Sequence, residues 1–96
     1  MNKINFKPGK ELTFKSVVAV RAKLYRALIE DISGQFSLDL SDVTHCDSAG
    51  LALLIEARRL CKKNKKVFEI IGMSLETRSL AEFCGVTEIL EEKTSL

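Results

Sequence analysis

Residues 36–60 read FSLDLSDVTHCDSAGLALLIEARRL, and this stretch decides the fold. Phe36, Leu38 and Leu40 alternate with polar residues, which is the pattern of a strand with one buried face. The apolar run from Leu51 onward predicts a helix that is buried over a broad face. A polar, turn-rich segment separates the two, so the stretch has the order strand, loop, helix.

The downstream sequence continues this alternation. Residues 67–71 form a compact apolar run of the kind that suits a buried central strand. A third helix is predicted from Leu75 through Leu80 to Cys84, and Gly85 stops it. Residues 86–90 are then predicted to form a last short strand.

The upstream sequence predicts another helix after two short strands. Its apolar residues fall at helical spacing, and Thr13 or Ser16 is expected to cap it, with Gly34 just past its end. The apolar positions are Val17, Val20, Leu24 and Leu28. Ile4 and Phe6 are expected to form the first short strand, and residues 11–14 either a second one or the lead-in to the helix.

Alternating strands and helices predict βαβ units, and therefore an open α/β sheet with mostly parallel strands. A chain of 96 residues fits one domain. We therefore expect a single domain over residues 1–96, with short strands in residues 1–13 and a flexible, solvated tail at 91–96.

The composition excludes several function classes. Fifteen basic and 13 acidic residues give a net charge of +2, too balanced for nucleic acid as the main partner. The cysteines at 46, 61 and 84 fit neither a disulfide framework nor a zinc site, and are expected to be reduced, mostly buried thiols. No signal peptide or membrane-spanning run is recognisable. The sequence predicts a cytoplasmic protein without a metal or cofactor.

The candidate site is the loop that leads into the second helix. Asp47 or Ser48 is expected to be the N-cap, and the small residues Ser48, Ala49 and Gly50 are expected to leave backbone and hydroxyl open to a partner. A helix N-terminus also tolerates a phosphate, so phosphorylation of Ser48 would change binding without unfolding the domain.

Two other features have ordinary explanations. His45 and Cys46 are neighbours in an extended segment, so their side chains point to opposite faces and are poorly placed to share a proton. The lysine run at 62–66 complements a helix C-terminus, although contact with an acidic partner or anionic lipid stays an alternative.

Residues 39–43 (DLSDV) followed by residues 47–51 (DSAGL) resemble the signature of the STAS domain family. The resemblance covers about residues 12–90 and implies a mixed sheet with helices mainly on one face. The family includes anti-sigma factor antagonists, in which the residue matching Ser48 is the phosphoacceptor. It also includes the small MlaB-type subunit of the Mla lipid-transport ABC complex. The antagonists typically carry an aspartate where this chain has Thr13.

The missing aspartate favours the MlaB-type role, in which the domain binds the ATPase subunit of the transporter and reaches the membrane only through that complex. The expected partner-binding residues are Thr13, Asp47, Ser48, Ala49, Gly50 and Leu51. The alternative is an anti-sigma factor antagonist that is phosphorylated on Ser48 by a partner kinase. A homodimer through the same surface also stays open, while a small enzyme is disfavoured because no catalytic triad can be assembled.

Overall fold

The computed structural model describes residues 6–91. Four short strands and four helices follow one another along this part of the chain. They are β1 (Glu11–Leu12), α1 (Val17–Glu30), β2 (Gln35–Asp39), β3 (His45–Cys46), α2 (Ser48–Lys63), β4 (Val67–Ile71), α3 (Leu75–Cys84) and α4 (Thr87–Glu91). The predicted α/β class is confirmed, and α3 has the predicted bounds.

The strand pairings between residues 6 and 91 are all parallel. β2 pairs with β4 over five residues, with Phe36 opposite Phe68, and β1 pairs with β3. Phe6 adds an isolated parallel bridge to Leu38, so β2 lies between this bridge and β4. Both faces of β2 are buried, including the polar Ser37.

The core lies between the strands and the helices, with α2 at its centre. α2 contacts α1, β4, α3 and α4. Six core side chains are completely shielded from solvent: Leu24, Leu28, Phe36, Leu38, Ala57 and Cys61. Burial of these side chains is the main favourable contribution to folding.

The start of α1 differs from the prediction. Ser16 occupies the N-cap position but makes no side-chain capping bond. Its Oγ instead accepts the Thr13 backbone N–H at 3.0 Å and donates to the Glu11 carbonyl at 2.9 Å. Ser16 therefore stabilises the turn between β1 and α1, and the helix begins at Val17.

Two strand predictions are wrong. Residues 86–90 do not form a strand, because Val86 and Leu90 are four residues apart and join one helical turn, with the Leu90 N–H donating to the Val86 carbonyl. β4 is not central either: its one strand partner among residues 6–91 is β2, and Val67 is 37% exposed.

Other expectations fall partly outside the described residues. Ile4 and residues 92–96 lie outside them, and Glu91, expected in the tail, ends α4. Of the three thiols, Cys61 is buried and Cys46 half-buried, but Cys84 is exposed.

Candidate functional site

The site forms where two parallel strands end side by side. β1 leads into the turn before α1, and β3 leads through Asp47 directly into α2. Since Leu12 is paired with Cys46, the two turns that follow these residues are neighbours. Loops beyond the carboxyl ends of parallel strands are where α/β folds place their binding sites.

Asp47 joins the two turns. Its Oδ1 accepts the Gly50 backbone N–H at 3.0 Å and so caps α2, which confirms one of the two predicted N-caps. Its Oδ2 accepts the Phe14 backbone N–H at 3.0 Å. The bond from Phe14, together with weaker ones from the α2 backbone, lowers the pKa of this carboxyl, although desolvation opposes the shift. One carboxylate therefore fixes the start of α2 against the turn that precedes α1.

Ser48 is the first residue of α2, and its side chain is exposed. Across residues 6–91 its hydroxyl has no hydrogen-bond partner, so it makes no hydrogen bond that stabilises this part of the fold. The adjacent Ala49 is half-buried and lines a shallow cleft between α1 and α2. Ser48 therefore presents a free hydroxyl at the positive end of a 16-residue helix.

The expectation that Gly50 is open to a partner is wrong. Gly50 is buried, and a Cβ at this position would lie 2.0 Å from the Leu12 carbonyl oxygen and 3.0 Å from Cys46 Sγ. Leu51 is also buried and belongs to the core. Gly50 therefore lets α2 pack closely against β1, and neither Gly50 nor Leu51 is exposed to a partner.

An apolar surface adjoins Ser48. Phe14, whose N–H is held by Asp47, leaves 69% of its surface exposed. Val17 from α1 faces Ala49 and Ala52 from α2 across the shallow cleft, which has a volume of about 500 Å³. We call this the helix-start face, and define it as Phe14, Val17, Ser48, Ala49 and Ala52.

An ion pair borders the helix-start face. The Arg21 guanidinium bonds both carboxylate oxygens of Glu56, with distances of 2.7 Å and 3.3 Å, and lies 4.4 Å from the centre of the Tyr25 ring. This pairing lowers the pKa of Glu56 and raises that of Arg21. The pair connects α1 to α2 and gives the apolar surface a charged rim.

Comparison with known families decides the assignment. The family model described as Mlab, STAS domain matches residues 9–91. The chain belongs to the MlaB-type STAS domain family. No individual curated protein matches it. STAS domains of this type are generally non-catalytic, and the resemblance of residues 39–51 to the STAS signature is confirmed.

Thr13 has a local role in this STAS domain. Its Oγ1 donates to Glu11 Oε2 at 2.6 Å and accepts the Lys15 N–H at 3.2 Å. The side chain therefore stabilises the β1–α1 turn, and it contributes no carboxylate to the surface. It lines a polar cleft of about 250 Å³, together with Thr44, His45, Cys46, Asp47, Ser74, Glu76 and Thr77.

His45 and Cys46 make different contacts, although both line this polar cleft. The exposed His45 ring places Nδ1 3.1 Å from Thr44 Oγ1, whereas Cys46 Sγ donates to the Asp47 carbonyl. Burial raises the pKa of the Cys46 thiol, which disfavours a thiolate nucleophile.

Residues 6–91 contain no cluster of His, Cys, Asp or Glu arranged to hold a metal ion. In that same range, every helix is too short or too polar to cross a lipid bilayer.

The sequence analysis missed the contribution of Phe14. Its spacing carried no signal of exposure, because Phe14 lies three residues before Val17 and so continues the apolar stripe of α1.

Proposed function

We propose that this STAS domain is the small cytoplasmic MlaB-type subunit that binds and supports the ATPase of a phospholipid-transport ABC complex. It would bind through the helix-start face and lie at the inner membrane only as part of that complex. The observation that carries the proposal is the exposed Ser48 next to the small Ala49, with Asp47 bonding the turn that carries the exposed Phe14.

The chemistry of this face suits a protein partner. Aromatic side chains, phenylalanine included, are enriched in the cores of protein–protein interfaces, so Phe14 is the expected anchor. The alanines at 49 and 52 allow the backbone of a partner to approach α2 closely. The Arg21–Glu56 pair supplies a polar rim, which is typical of the border of an interface.

The contacts beneath the helix-start face hold its residues in place, which supports binding without rearrangement. Asp47 bonds both turns, and Gly50 packs directly on β1. Phe14 and Ser48 are therefore held at a fixed separation before a partner arrives. Pre-organised contact residues reduce the entropy cost of binding.

The test is affinity purification of the tagged full chain from its native host, in parent, Ser48→Ala and Ser48→Asp forms. The parent and the alanine variant should recover an ABC ATPase, because loss of the hydroxyl removes no bond within the described domain. The aspartate variant places a second negative charge beside Asp47, so recovery should fall at least tenfold while Tm stays unchanged.

Three outcomes would contradict the proposal. The aspartate variant could retain the ATPase, or its Tm could fall substantially, which would make Ser48 a structural residue. The parent protein could also recover only a sigma-regulatory kinase, which would favour the other branch of the family.

The alternative function is an anti-sigma factor antagonist that is phosphorylated on Ser48. The exposed hydroxyl at a helix N-terminus favours it, because that position stabilises a phosphate. Thr13 weighs against it, since the carboxylate typical of the antagonists is absent. Incubation with ATP and a cognate kinase should then add one phosphate to the parent and none to Ser48→Ala. A Ser48 that is unmodified in cells under all growth conditions would contradict this role.

A further inference from the structure

A second surface, which includes no residue of the helix-start face, lies along β4. The sequence of β4, Val67-Phe68-Glu69-Ile70-Ile71, is that of a strand enclosed on both sides. Between residues 6 and 91, however, β2 is its one strand partner. One edge of an apolar strand is thus left without a neighbour in the described chain.

The register shows which backbone groups this edge presents. In a parallel pair the N–H and C=O of one residue point to the same neighbour, and successive residues alternate between the two sides. Val67 donates to the Gly34 carbonyl and the Ile71 carbonyl accepts from Leu40, so the odd-numbered residues of β4 bond to β2. Phe68 and Ile70 therefore direct their N–H and C=O groups outward, and none of these four groups has a partner among residues 6–91.

A cleft of about 590 Å³ runs beside this edge. Phe68, Ile70, Met73 and Leu90 supply its apolar lining. An ion pair between Arg78 and Glu91 also lines the cleft and joins α3 to α4. The space is open beside the outward groups, so an added strand would find hydrogen-bond partners and an apolar surface together.

The charge of Glu69 indicates what kind of strand fits. Glu69 accepts a hydrogen bond from Ser37 Oγ at 3.3 Å, and no cation of residues 6–91 forms a salt bridge with it. If a second copy paired antiparallel so that Phe68 met Ile70, the two copies of Glu69 would face each other with Cα atoms about 4.5 Å apart. Like charges directly opposite are destabilising, whereas a basic residue opposite Glu69 is favourable.

We propose that the outer edge of β4 binds an extended segment of a partner polypeptide by strand addition. The segment carries apolar residues on either side of a lysine or arginine that lies opposite Glu69. This inference goes beyond the function proposed above and does not depend on it, because it uses no residue of the helix-start face.

Two synthetic heptapeptides, acetyl-STVKVTS-amide and acetyl-STVEVTS-amide, test the proposal by NMR titration of the ¹⁵N-labelled full chain. The Lys peptide should shift the amide signals of Phe68 and Ile70 and slow their exchange with solvent. Its affinity should exceed that of the Glu peptide by about fivefold, which corresponds to about 1 kcal/mol for exchanging a like-charge pair for an opposite-charge pair.

Variants separate strand addition from unspecific binding. Glu69→Lys should reverse the preference between the two peptides. Ile70→Pro removes one outward N–H without touching the bonds to β2, so it should weaken binding of the Lys peptide at least tenfold, whereas Ile70→Val should not. Ser48→Asp should leave peptide binding unchanged, so a failure here is distinguishable from a failure of the proposed function.

Several results would overturn the proposal. Slow exchange of the Phe68 and Ile70 amides in the free chain would show that the edge is already covered. Equal binding of the two peptides would contradict it, and so would an unchanged preference in Glu69→Lys. Signal shifts confined to other surfaces would also contradict it, as would no shift at 5–10 mM peptide, which is about the weakest binding such a titration detects. Concentration-dependent dimerisation through β4 would instead show a second copy as the occupant.

Discussion

Replacing Gly50 by alanine should destabilise the domain, although helix propensity alone predicts the opposite. Gly50 lies in the first turn of α2 with ordinary helical backbone, where alanine is favoured by about 1 kcal/mol. The added Cβ, however, would lie 2.0 Å from the Leu12 carbonyl oxygen. That oxygen belongs to β1 and cannot rotate away as a side chain would.

The size of the effect follows from these opposing contributions. Overpacking of a well-packed site costs about 1–3 kcal/mol, and a clash with backbone belongs at the upper end of that range. Moving the helix away from Leu12 would also weaken the bonds of Asp47, a cap that typically contributes about 1 kcal/mol. After the gain in propensity, we expect a net loss of about 2–3 kcal/mol, or about 10–20 °C in Tm.

Urea unfolding followed by circular dichroism measures this loss directly. Ala52→Gly is the matched control, because position 52 is exposed on the same helix and should show the propensity effect alone, about 1 kcal/mol. A Gly50→Ala protein that is as stable as the parent, or more so, would refute the close packing of α2 on β1.

Two further predictions concern stability and thiol chemistry. Asp47→Ala should lower the free energy of unfolding by about 1–2 kcal/mol, and Asp47→Asn by less, since asparagine keeps an acceptor for the cap. Because the folded pKa of Asp47 is lowered, its contribution is complete above its unfolded pKa of about 3.9 and is lost as the pH falls below that value. Acid unfolding of Asp47→Asn should therefore depend less on pH, and an identical profile would contradict this. Iodoacetamide should label exposed Cys84 well before Cys61, whose burial raises its pKa to about 11, as mass spectrometry of the peptides can show; equal rates would contradict the packing of Cys61.

The sequence was sufficient to predict elements with strong periodicity. The alternation in β2 identifies the strand, although both of its faces are buried, and the apolar run of α2 identifies the helix. Gly85, with its positive φ, ends α3 as expected. The prediction of a strand at residues 86–90 was wrong because, in so short a run, the positions of Val86 and Leu90 fit both the helical and the strand period. The prediction that β4 is a central strand was wrong for another reason. An apolar sequence indicates that the faces of a strand are buried, but it does not show whether both of its edges are paired.

The candidate site shows a similar division. Asp47 and Ser48 could be located from the sequence, because capping requires particular residue types at a helix start. Gly50 looked like part of the same small surface, but its lack of a side chain serves the interior contact with Leu12. A small residue indicates that another group approaches the backbone closely. Only the tertiary structure shows whether that group belongs to the same domain or to a partner. Phe14 could not be ranked for the same reason, since its exposure depends on how Asp47 holds the turn.

Site-specific photo-crosslinking in cells tests the helix-start face most directly. Phe14 and Phe83 are both largely exposed, at 69% and 90%, but Phe83 belongs to α3 and is not part of that face. A photoreactive phenylalanine analogue at position 14 should crosslink to an ABC ATPase, while the same analogue at position 83 should not. A crosslink to the ATPase from position 83 alone, or from neither position, would contradict the proposed binding surface.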